Sequence, residues 1–155
     1  MYLTLIVLMA ASLASVGCAQ TSSPVTRSAG SSDVAGILNQ TKMKIKIGTK
    51  VFDATLFDNP TADSFRSRLP LTLEMEEFNG NEKKFDLSNA LPTDASNPKT
   101  INKGDLMVWG NNTVVLFYKT FPTPYSYTPL GRVDDPAELE SALGKGDVRV
   151  NFEME

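Results

Sequence analysis

Six side chains that could hold a ligand lie close together in the chain, between residues 103 and 132. They combine aromatic faces with polar tips, a mixture that is typical of surfaces that bind a peptide or a small molecule. The candidates are Trp109, Asn111, Tyr118, Phe121, Tyr125 and Tyr127. Successive residues of a strand point to opposite faces, so about half of the side chains here could instead fill a core. For Trp109 the sequence leaves both positions open.

Strands must position these candidates. Residues 105–109 and 113–119 are rich in apolar side chains, and a Gly-Asn-Asn turn separates them. This pattern predicts an antiparallel hairpin. The strict alternation of a strand would place Val115 and Phe117 on one face, with Val114, Leu116 and Tyr118 on the other.

The rest of the chain predicts a mostly β fold of about seven or eight short strands and two short helices, as in a barrel. Further strands are predicted at residues 43–47, 51–56, 71–76 and 148–152. One helix is predicted at residues 61–69, and a second from an Asp135 cap with Glu138 in a capping box to Leu143. Residues 83–100 are predicted to form a loop.

Several kinds of chemistry are excluded by composition. The chain has no histidine, which excludes Ser-His-Asp and Cys-His sites and removes the commonest metal ligand. The glutamates at 74, 76 and 77 are interpreted as a solvated face, and Asp134 and Asp135 as residues at a helix N-terminus. We predict no metal and no cofactor. A net charge of −3 gives no electrostatic footprint for nucleic acid.

The N-terminus has the pattern of an export signal. Residues 1–19 are apolar and then small, and the run is too short to span a bilayer comfortably. The string Ser-Val-Gly-Cys that ends at Cys18 resembles a bacterial lipobox, which implies lipidation at Cys18. Ordinary cleavage after Ala19 and an uncleaved anchor or a different start remain open.

The composition predicts three segments. These are a signal peptide at residues 1–19, a flexible tether at 20–41 and a β-barrel domain at 42–155. The tether is rich in Ser, Thr, Pro and Gly, so it cannot bury enough apolar surface to offset its ordering entropy. The predicted location is a membrane-anchored lipoprotein of the bacterial cell envelope, or a secreted or periplasmic protein if Cys18 is not lipidated.

Five strings carry a resemblance to a known family. They are DNPTADSF, FNGNEK, GDLMVWGNN, VVLFYKTF and LGRVDDPAELESAL. Together they resemble the compact bacterial cyclophilin-like β-barrel domains, over about residues 43–152. The resemblance implies a barrel with Phe65 of the first helix pointing inside, and a groove lined by aromatic residues.

The same resemblance implies where an isomerase would keep its catalytic groups. Cyclophilins use an arginine on the strand after the first helix to stabilise the twisted amide. That strand corresponds to residues 71–75, and neither Lys nor Arg occurs between Pro70 and Asn81. The groove histidine is also absent. No catalytic residue is therefore predicted.

Three functional hypotheses follow. The first is a secreted or lipid-anchored protein that binds a peptide or small ligand without catalysis. The second is a weak peptidyl-prolyl isomerase of the cell envelope, and the third is a structural or interaction module with a vestigial groove. The only membrane contact predicted is the N-terminal lipid, and the sequence does not predict the oligomeric state.

Overall fold

The structure, a computed structural model, describes residues 41–155, and short strands dominate this part of the chain. The strands are β1 (Thr41–Ile47), β2 (Lys50–Leu56), β3 (Leu71–Phe78), β4 (Glu82–Asp86), β5 (Thr100–Ile101), β6 (Asp105–Trp109), β7 (Thr113–Phe117), β8 (Phe121–Pro122), β9 (Thr128–Val133) and β10 (Val148–Met154). The helices are α1 (Pro60–Arg66) and α2 (Leu139–Leu143).

Eight of these strands close into an antiparallel barrel in the order β1-β10-β3-β4-β7-β6-β9-β2. Strands β5 and β8 form a separate two-stranded sheet. Closure pairs each barrel strand with a neighbour on both sides, so the barrel has no free edge. The fold is therefore mostly β, as predicted.

The barrel interior is filled by one side of each strand. Its core includes Ile45, Leu73, Met75, Val108, Val114, Leu116 and Phe152, together with Leu139 and Leu143 of α2. Helix α1 contributes Phe65, which is fully buried and packs edge-to-face on Phe152 with ring centroids 5.7 Å apart. The prediction that Phe65 points into the barrel is confirmed.

A second, smaller core lies on the outer face of β6 and β7. It contains Ile101, Met107, Val115, Phe117 and Tyr127, with Phe121 packed against it. The residues after β7 and the small β5–β8 sheet cover this face, so every residue of β7 is buried although the strand belongs to the barrel wall.

The hairpin predicted around the Gly-Asn-Asn turn is confirmed, because Trp109 pairs with Thr113 and Leu106 with Leu116. The predicted division of side chains on this strand is confirmed as well. Val114, Leu116 and Tyr118 belong to the barrel core, whereas Val115 and Phe117 belong to the outer core.

Several predictions about element bounds are wrong. Residues 83–100 are not all loop, because β4 and β5 begin and end this segment. Helix α1 ends at Arg66 rather than residue 69. Helix α2 begins only at Leu139, because the Asp135 carboxylate accepts from Ala137 N in a local turn and Glu138 pairs with Lys50 instead of capping. Thr41, placed in the tether, is the first residue of β1.

The predicted signal peptide, Cys18 and the tether up to residue 40 lie outside the described residues. Between residues 41 and 155 no helix is long and apolar enough to cross a membrane.

Candidate binding groove

A groove of about 520 Å³ runs along the outer face of β4 and β7. Its volume falls within the range of roughly 300–1,000 Å³ that is usual for ligand sites. One wall is β4 with the turn before it, and the other wall is the 121–127 segment that returns from β8 toward β9. Val115 and Thr113 of β7 form part of the floor between them.

Four of the six predicted site residues line this groove: Trp109, Phe121, Tyr125 and Tyr127. Trp109 and Tyr125 expose 54% and 62% of their surface, so their rings are available to an occupant. Tyr127 is buried and stacks edge-to-face on Phe117, with ring centroids 5.5 Å apart. Tyr127 therefore supports the groove wall, and its ring offers no open face to an occupant.

The other two predicted residues lie elsewhere. Asn111 is exposed in the β6–β7 turn, where its backbone carbonyl accepts from Leu91 N at 2.7 Å. Tyr118 points into the barrel and donates its hydroxyl to the Glu77 carboxylate at 2.7 Å. The pKa of Tyr118 is raised by burial and by that carboxylate.

Tyr118 belongs to a buried network around Lys83. The Lys83 ammonium is fully buried and donates to Glu77 and to the carbonyls of Gly144 at 3.0 Å and Gly146 at 2.6 Å. Burial alone would raise the pKa of Glu77, but the hydrogen bonds from Lys83 and Tyr118 hold that pKa below its ordinary value. This network ties β3 and β4 to the residues that follow α2.

The polar side of the groove comes from β4, which the sequence analysis missed. Glu82, Lys84 and Asp86 pair with Phe117, Val115 and Thr113 of β7 and therefore share the outer face with them. The Asp86 carboxylate accepts from the Thr113 hydroxyl at 2.6 Å. The Lys84 ammonium lies 3.0 Å from the Glu76 carboxylate, which raises the Lys84 pKa, and 5.5 Å from the centre of the Phe78 ring.

Glu82 is the most unusual group of this site. The residue is only 8% exposed, and burial raises the pKa of its carboxyl to about 7. The Glu77 charge adds to this shift, and Lys84 opposes it. A carboxyl group with such a pKa can change its protonation state near neutral pH.

One signal in the sequence could have found β4. Asn79 and Gly80 both adopt positive φ, 55° and 69°, between the paired residues Phe78 and Glu82. An Asn-Gly pair after a strand is a strong hairpin signal, and it predicts a second strand directly afterwards. The charged residues that follow hid this strand from a search for apolar alternation.

The groove offers polar and aromatic contacts but no metal centre. No cluster of three or more Cys, Asp or Glu side chains suited to a metal ion occurs within residues 41–155. The β3 strand, where the resemblance would place a catalytic arginine, carries glutamates instead, at positions 74, 76 and 77. The groove is thus suited to holding a ligand through rings, carboxylates and one lysine.

Comparison with known proteins agrees with this architecture. A family model described as the cyclophilin-like family matches residues 45–153, which include almost the whole barrel. No curated protein gives a match. The matched region contains both walls of the groove and the strands that position them. With most of its length matched and the barrel closed, the chain belongs to the cyclophilin-like family.

Proposed function

We propose that this protein is an exported member of its family that binds an extended peptide or a small ligand in the groove, without catalysing a reaction on it. One observation carries the proposal. Three of the large apolar side chains exposed by residues 41–155 (Phe78, Trp109 and Tyr125) line this one groove. Exposed rings that gather around a concave surface are typical of an interaction site.

The same groove lacks the cationic donor that an isomerase would use, so it gives little support to an isomerase function. Strand β3 contributes no cationic donor, and the ammonium group of Lys84 is already held by Glu76. Loss of an oriented donor typically lowers a rate by about 10² to 10³. We therefore expect the protein to isomerise a capped Ala-Pro-Phe peptide at least about a hundredfold more slowly than a cyclophilin does. Comparable rates in an NMR exchange assay, lost in Trp109→Ala, would make it an isomerase.

Binding itself is tested with the purified full chain in detergent. Trp109 is the single tryptophan of the sequence, so its fluorescence reports on the groove when capped tetrapeptides without tryptophan are added. We expect some members of a tetrapeptide library to bind. By calorimetry, Tyr125→Ala should weaken that binding, whereas Phe57→Ala, which changes a half-exposed ring outside the groove, should leave it unchanged.

Failure of the whole library and of a set of small aromatic ligands to change the signal would contradict a binding function. That result would favour a structural or interaction module with a vestigial groove.

Export and anchoring complete the proposal. The lipobox-like string before Cys18 supports lipidation, which would hold the domain at a membrane of the cell envelope through its tether. Metabolic labelling with a palmitate analogue should mark the wild-type protein and not Cys18→Ser. Equal absence of label from both proteins would contradict the anchor.

A further inference from the structure

Glu82 is a buried residue that lines the groove and whose carboxylate has no partner in the described part of the chain. It is 8% exposed and lines the groove opposite Phe117. No hydrogen bond or ion pair joins its carboxylate to another group within residues 41–155, whereas both neighbouring lysines are engaged by other glutamates. A carboxylate that has no partner within the fold and belongs to the groove lining can pair with a group that enters the groove.

A second acceptor lies beside it without a donor. Asn81 lines the same groove, and its buried amide oxygen has no hydrogen-bond partner in the described part of the chain. Two donors on this side of the groove are already used, since Lys84 donates to Glu76 and the Thr113 hydroxyl donates to Asp86. The Glu82 carboxylate and the Asn81 amide oxygen are therefore acceptors that a group rich in donors would complement.

The length and walls of the groove narrow the class of occupant. The side chains from Glu82 to Asp86 extend over four residue steps of β4, or about 13 Å at roughly 3.3 Å per step. An extended segment of about four residues has the same length. The apolar side chains of Phe121 in the wall and Val115 in the floor suit the aliphatic stem of a long side chain that carries its charge at the tip.

We propose that the groove selects extended peptide segments with a lysine or arginine, whose cation pairs with the Glu82 carboxylate and whose neighbours contact the aromatic walls. This inference rests on the proposed binding function and adds the chemical class of the occupant. An acidic segment would be repelled by Glu82 and Asp86, both of which line the groove.

The environment of Glu82 fixes how this binding should respond to pH. The charges of Glu77 on β3 and Lys84 on β4 act on the pKa of Glu82. The Glu82 charge in turn raises the pKa of Lys84, of Tyr118 after β7 and of Tyr127 beside β9. Burial and Glu77 raise the pKa of Glu82 to about 7, so the carboxyl is largely protonated in the empty groove at pH 6. A cationic occupant favours the ionised form, and its affinity should therefore rise between pH 6 and pH 8.

The experiment uses the full chain and capped tetrapeptides of one lysine, one phenylalanine and two alanines, with the lysine moved through the four positions. A matched set carries N-acetyl-lysine instead. At pH 8 the best lysine peptide should bind at least roughly tenfold more tightly than its acetylated counterpart, since a charge-assisted hydrogen bond is worth about that much. Glu82→Gln should reduce this ratio to about twofold, whereas Glu140→Gln, an exposed carboxylate of α2, should keep it.

Several results would overturn the inference, each in a recognisable way. Equal binding of both peptide sets, unchanged in Glu82→Gln, would leave a groove that binds peptides without selecting a cation. Affinity for the lysine peptide that falls as pH rises would mean that protonated Glu82 donates to a carbonyl. Phenethylamine binding as tightly as the best peptide would assign the groove to small amines. No binding by either peptide set or by the amine would overturn the proposed function as well.

Discussion

At the scale of single residues, Glu82 gives the fold a dependence on pH. Its pKa is raised to about 7 in the folded chain, against an ordinary value of 4.5. Between these values the folded state holds more protons than the unfolded state, so the free energy of unfolding falls as pH rises through this window. The loss is on the order of 3 kcal/mol for a shift of this size.

We therefore predict that Glu82→Gln is more stable than the wild type at pH 8 and similar to it at pH 5, measured by urea unfolding. Below about pH 4.5 both proteins should lose stability, because the pKa values of Glu77 and Asp134 are lowered in the fold. An identical pH profile for the two proteins would show that Glu82 is not the titrating group.

Lys83 leads to a second prediction, about the buried network. Lys83→Met would leave the Glu77 carboxylate and the carbonyls of Gly144 and Gly146 without this donor. Removing one partner of a buried ion pair typically destabilises a protein by about 3–5 kcal/mol. The neighbouring Lys84→Met breaks a partly exposed pair and should change the free energy of unfolding by about 1 kcal/mol or less. Equal effects of the two substitutions in urea unfolding would contradict this account.

At the scale of elements, one close contact holds β9 against β2. A Cβ atom on Gly131 would lie 2.6 Å from the backbone oxygen of Thr55, which cannot move without disturbing the β2–β9 pairing. We predict that Gly131→Ala destabilises the fold by about 1–3 kcal/mol, as overpacking does. Gly146→Ala is the matched control because a Cβ there meets nothing within 4 Å. A thermal shift of the same size in both variants would refute the steric argument.

Element by element, the sequence predicted strands well where one face is apolar and the other polar. The β1–β2 hairpin follows this rule, because it has a turn signal between two alternating segments. The β6–β7 hairpin was predicted instead from two apolar segments around its turn, and both faces of β7 are covered. Strand β4 departs from the rule because Lys83 lies at an interior position. There the backbone carbonyls of residues 144 and 146 accept hydrogen bonds from its ammonium group. Those partners lie far away in sequence, and no local pattern could have revealed them.

Of the candidate site, only the aromatic wall could be predicted from the sequence. The aromatic wall was evident from the residue types alone, although Tyr118 faces the barrel and Asn111 stays in its turn. The charged wall was not, since Glu82 and Lys84 have the composition of a solvated surface. Their role depends on the pairing of β4 with β7, which is a property of the closed barrel.

At the scale of the whole molecule, the barrel should fold without the N-terminal segment. A chain that begins at Gln40 keeps all of β1, which pairs with both β2 and β10. We predict the same midpoint of urea unfolding for this chain and for the full chain. A chain that begins at Gly48 lacks β1, opens the barrel and should not unfold cooperatively. A clear loss of stability on starting at Gln40 would mean that preceding residues pack on the barrel.

The two separate cores have a consequence for how this protein can change over evolutionary time. The barrel is held by inward side chains such as Val114 and Leu116, whereas the floor of the groove is built on Val115 and Phe117 of the same strand. Substitutions on the outward positions and on the 121–127 segment therefore leave the barrel packing intact. The lining of the groove can change by drift on one face of β7, while purifying selection on the other face maintains the scaffold.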